Sequence, residues 1–109
     1  SLIDPAKDDV DRNYISWDLG LDDTCKELGV ANSYFSSLFK KETGSSFVEY
    51  LTDYRMDKAA RMLVETDDKS YVIAQNVGYA DPNYFSYVFK RKYGVSPSRY
   101  RTEYEKNKV

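Results

Sequence analysis

Apolar residues recur along this chain at intervals of three and four. In SYFSSLFKKETG (Ser33–Gly44), Phe35, Leu38 and Phe39 fall on one helical face. Fifty positions on, NYFSYVFKRKYG (Asn83–Gly94) places Phe85, Val88 and Phe89 in the same way. Each stripe stops at a glycine, Gly44 or Gly94, the residue that most readily takes the left-handed backbone that closes a helix. A shorter helix precedes each one, at Asp22–Leu28 and about Ser70–Val77, and stops at Gly29 or Gly78. A helix, a three- to four-residue turn with Gly and a second helix make a helix-turn-helix pattern.

The remaining elements follow from start and stop signals. Ser46-Phe47-Val48-Glu49 reads as a capping box that opens a long helix to about Glu65. Val48, Leu51, Arg55, Ala59, Met62 and Leu63 trace its expected inner face, with Arg55 as a structural hydrogen-bond hub. Asp81 is an N-cap with Pro82 at the first helical position, and Ser96-Pro97 opens a last helix to about Asn107. A first helix is expected over Pro5–Trp17. The expected fold is all-α, with about seven helices. Residues 5–45 and 67–107 form two helix-turn-helix subdomains, joined by a long linker helix over residues 46–66.

The two stripes belong to a duplication. At an offset of 50, Ser33–Leu51 and Asn83–Arg101 match at eight of nineteen positions. Upstream, Gly29 and Ala31 match Gly78 and Ala80 at an offset of 49, so the second copy carries one extra residue, near Asp81–Pro82. Two copies are too few for a solenoid.

Composition narrows the chemistry. The 109 residues are 41% hydrophobic and 16% aromatic, enough for a core and unlike a disordered chain. No apolar run approaches the roughly 20 residues that span a bilayer. The chain contains no His, which removes His-based acid–base catalysis and most zinc sites. The five glycines are dispersed, with no phosphate loop among them. No cofactor is expected. The single cysteine, Cys25, reads as a small core residue compatible with a reducing cytoplasm. Asp8, Asp9, Asp22 and Asp23 read as first-turn helix charges rather than catalytic acids. The chain has no initiator Met and no signal-peptide pattern, so it reads as a piece of a longer, cytoplasmic protein.

The net charge of −2 hides a gradient. Residues 1–28 hold eight acids and three bases, whereas residues 67–109 hold five acids and eight bases. The local field of the basic end matters more to a polyanion than the total.

The faces opposite the Phe stripes are unusual for solvated helices. One carries Ser33, Ser36, Ser37 and Lys40, and the other Asn83, Ser86, Tyr87 and Lys90, all at i, i+3, i+4 and i+7. A merely solvated face more often shows Glu/Lys pairs. Asn pairs bidentately with adenine, and Ser donates to or accepts from any base. Lys40, Lys41, Lys90, Arg91 and Lys92 then lie where phosphates would pass.

GYADPNYFSYVFKRKYGVSPSRYR (Gly78–Arg101) resembles the signature region of the AraC/XylS family of bacterial transcription regulators. SYFSSLFKKETGSSFVEYLTDYRMDKAARML resembles the same family's first recognition helix and linker helix. The resemblance covers about Val10–Arg101 and is especially close to output domains of two-component response regulators. It implies recognition helices in successive major grooves, about 34 Å apart. It places base contacts at Asn32, Ser33, Ser36 and Ser37, and at Pro82, Asn83, Ser86 and Tyr87. Its implied partners are double-stranded DNA, an upstream receiver or sensor domain, a second protomer and RNA polymerase, with no membrane. Gly20, Thr24, Cys25 and Lys69-Ser70 depart from the family pattern, and Asp67 or Asp68 is expected to cap the second motif's first helix. With no Arg or Gln on either reading face, modest base discrimination is expected. The competing expectation is a helical protein-interaction module of the same fold that no longer binds DNA specifically.

Overall fold

Seven α-helices and no strand occur in the computed structural model, which describes residues 1–108. They are α1 (Ile3–Asn13), α2 (Leu21–Leu28), α3 (Asn32–Thr43), α4 (Phe47–Glu65), α5 (Ser70–Asn76), α6 (Pro82–Tyr93) and α7 (Pro97–Lys106). They form two compact units, residues 1–54 and a second unit from Arg55 onward, so the boundary falls within the sequence of α4. Among the described residues, no helix is long and apolar enough to cross a membrane.

The caps explain most boundaries. Ser46 Oγ accepts from the Glu49 amide and Glu49 Oε1 accepts from the Ser46 amide, which closes the capping box of α4. Those bonds favour the ionised carboxylate and hold the Glu49 carboxyl below its ordinary pKa. Asp81 accepts from the Asn83 amide at the start of α6, and Ser96 accepts from the Arg99 amide at the start of α7. At the other ends, Gly44 and Gly94 take φ of 84° and 81°, a conformation strained for any residue with a Cβ.

Three expectations change. The first helix stops at Asn13 rather than Trp17, because the chain turns there. Ser16 N–H bonds the Asn13 carbonyl and Leu19 N–H bonds that of Ser16, both three residues back instead of four. The N-cap of α5 is Lys69, with no side-chain bond, so neither Asp67 nor Asp68 caps it. On α4, Leu51, Arg55, Ala59 and Leu63 are buried as expected, but Val48 is 58% exposed and Met62 half-buried, while Phe47 and Met56 join the buried side. Phe47 wins the inward position because its ring meets both Phe35 and Phe39 at 5.6 Å.

In the first unit, Ile3, Ala6, Val10 and Cys25 pack with Phe35, Phe39, Phe47 and Leu51. Burial raises the Cys25 thiol's pKa, as suits a core residue. Asp9 is no first-turn charge. It lies midway along α1, buried, and accepts from Thr24 Oγ1 at 2.8 Å and Asn13 Nδ2 at 2.7 Å. In the second unit, Met56, Leu63, Ile73, Val77, Phe85 and Phe89 are fully or almost fully buried. Each such side chain contributes on the order of 2–3 kcal/mol by leaving water. Arg55 is 7% exposed, with its guanidinium 5.5 Å from the Tyr79 ring centroid. Burial lowers its pKa. Arg101 of α7 donates to the carbonyls of Leu63 and Thr66, groups at the end of α4 that lack helical partners.

Candidate nucleic-acid interface

Each unit holds one helix-turn-helix, α2–α3 or α5–α6, whose second helix has a buried side and an open side. Over residues 31–50 and 81–100, every position has the same secondary structure and the same degree of burial as its counterpart fifty residues on. Sequence identity is far lower, so structure preserves the duplication better than residue identity does. Core geometry repeats as well. Phe35–Phe39 and Phe85–Phe89 lie at 5.7 and 6.0 Å, and Phe39–Tyr50 and Phe89–Tyr100 meet edge-on at 5.7 and 5.4 Å. The turns differ. Gly29–Ala31 spans three residues, whereas Val77–Asp81 spans five. Register resumes at Asp81, so the extra residue is absorbed in the turn just before Asp81.

With four phenylalanines directed inward, the opposite faces are open. Asn32, Ser33 and Ser37 on α3 are exposed and Ser36 is half-buried; on α6, Pro82, Asn83 and Tyr87 are exposed and Ser86 is half-buried. Lys40, Lys41, Lys90, Arg91 and Lys92 are exposed in the last turns of the two helices. Thus each unit brings small polar groups and cations to one surface.

Several of these side chains have partners. Asn32 Nδ2 donates to Asp22 in the first turn of α2. Arg91 Nη1 donates to the Tyr87 hydroxyl at 3.0 Å, and this bond raises the arginine's pKa further. Lys92 is engaged within its own unit. Its ammonium bridges Asp57 of α4 at 2.7 Å, where Tyr93 Oη also donates, at 3.1 Å. Sequence reading missed Tyr34 and Tyr84, exposed at equivalent positions of α3 and α6. Their identity in both copies, outside the Phe stripe, was the available signal. Among the described residues, no cluster of His, Cys, Asp or Glu has the arrangement of a metal site.

A family model for the helix-turn-helix domain matches residues 24–103, from within α2 to within α7. The chain belongs to the AraC family of helix-turn-helix transcription regulators. This AraC-type domain is 36% identical over 80 residues to a lactose operon transcription activator from Staphylococcus xylosus, covering 73% of this chain and 28% of that protein. It is similar to the C-terminal domain of AraT, a response regulator from Geobacillus stearothermophilus, with a TM-score of 0.92 and 37% identity over 94% of this chain and 84% of that one. The C-terminal domain of the two-component response regulator yesN from Fusobacterium nucleatum gives a TM-score of 0.86 and 35% identity, covering 88% of this chain and 93% of that one.

Proposed function

We propose that this domain is the sequence-specific DNA-binding part of a transcription regulator and places α3 and α6 in successive major grooves. The repeated exposure pattern carries this reading, because it turns the same small polar and basic face outward in both units. Asn32, Ser33, Ser36 and Ser37 read one block of bases, and Pro82, Asn83, Ser86 and Tyr87 read the other. Lys40, Lys41, Lys90 and Arg91 neutralise phosphates, while Lys92 contributes less because it is held by Asp57. Residues 5–45 and 67–107 are the reading subdomains, and residues 46–66 are the linker.

The domain performs no catalysis. It works in the cytoplasm, and its regulator pairs it with an upstream receiver domain, a reading supported by its similarity to the two response-regulator C-terminal domains. A second protomer and RNA polymerase are the further partners of the working complex.

Selection from duplexes randomised over about two helical turns, at low and then physiological salt, tests the reading. Two enriched blocks about one turn apart are expected. No binding even at low salt would overturn it in favour of a protein-interaction module.

A further inference from the structure

The sequence shows no arginine at the i, i+3, i+4 positions of either reading face, yet the structure brings one there. Tyr87 is 56% exposed on α6. Arg91, one turn later, donates Nη1–H to its hydroxyl at 3.0 Å, with the guanidinium carbon 5.8 Å from the ring centroid. The Tyr84 ring stacks on Tyr87 at 6.3 Å, with 26° between the planes. Two neighbours therefore restrain the phenol on an open surface.

That hydrogen bond assigns polarity. A hydroxyl that accepts from Arg91 still has its own hydrogen to donate. The adjacent cation favours an acceptor opposite it and disfavours a donor. In the major groove, guanine offers two acceptors, N7 and O6, whereas cytosine offers the N4 donor.

We propose that Tyr87 and Arg91 act as one reading unit that selects an acceptor edge, guanine above all, and rejects cytosine at one position of the second block. Tyr87 touches the base, and Arg91 is the positioning residue that fixes the direction of its hydrogen bond. This rests on the reading of α6 as a groove helix and adds to it a base class and a role for Arg91 beyond phosphate neutralisation.

The test uses the 109-residue chain and the duplex that it selects. Each base is placed in turn at every position of the second block, and binding is measured for the parent, Y87F, R91A and R91K. Both residues are exposed, and an unchanged thermal midpoint verifies folding. Y87F is expected to lose about tenfold of the guanine preference at one position, with other positions within about twofold. R91A should flatten the same position. R91K should keep the salt slope but lose most of that preference, because a lysine ammonium lacks the planar fork that lies over the ring. If Y87F and R91A scale binding to all four bases by one common factor, or if the parent prefers cytosine there, the proposal fails while the groove reading stands. If the parent binds no duplex, both fail.

Discussion

Thr24 Oγ1 donates to Asp9 Oδ2 at 2.8 Å, and both residues are buried. The bond joins α1 to α2 inside the first unit. Thr24 stands where the family resemblance implies an aliphatic residue, and Asp9 gives its hydroxyl a partner. Thr24→Val keeps the shape but leaves a buried carboxylate oxygen unpaired, so a loss of about 1–3 kcal/mol is expected. Urea unfolding of Thr24→Val, Asp9→Ala and the double variant measures the coupling. If the single effects add, the two residues act independently.

Gly94→Ala is expected to destabilise by about 1–2 kcal/mol although no heavy atom crowds the site, because φ at Gly94 is 81°. Gly44→Ala should cost a similar amount in the first unit, where φ is 84°. Thermal unfolding decides it. A stabilised alanine variant would contradict the left-handed assignment.

Alkaline stability follows Tyr54. Burial first, then its hydrogen bond to Asp11, pushes this phenol up to about 12. The unfolded chain releases that proton near pH 10, so above that pH the folded state holds more protons. The contribution is complete below about pH 10 and is lost as the pH rises through about 12. Burial raises Tyr50 in the same direction. Tyr54→Phe should therefore decline less steeply over that window. Urea midpoints across alkaline pH provide the measurement, and parallel curves for parent and variant would refute it.

On DNA, Asn83→Ala should cost about 1–3 kcal/mol on the selected site and relax one base position. Lys90→Ala should weaken all sequences alike and lower the salt slope by about one. Lys92→Ala should change that slope less than Lys90→Ala does, because its ammonium bridges Asp57 at 2.7 Å. Binding titrations at several salt concentrations separate the three variants. Equal slopes for Lys90→Ala and Lys92→Ala would place both side chains at phosphates.

Local rules read directly from the residues were enough for the seven helices, the inward phenylalanines and the caps at Ser46, Asp81 and Ser96. Spacing, cap chemistry and glycine position all act within a few residues, so a linear string records them. The same rules picked out the outward Ser, Asn and Tyr faces by subtraction, once the phenylalanines were assigned inward. Tertiary packing decided what lies between distant residues. Thr24 meets Asp9 fifteen positions away, Lys92 meets Asp57 thirty-five away, and Arg101 reaches Leu63 thirty-eight away. Phe47 displaced Val48 from the core because aromatic contacts, rather than periodicity, chose between two neighbouring apolar residues. A hydrogen bond forms or fails over less than an ångström, and that precision comes from how helices pack, not from their order along the chain.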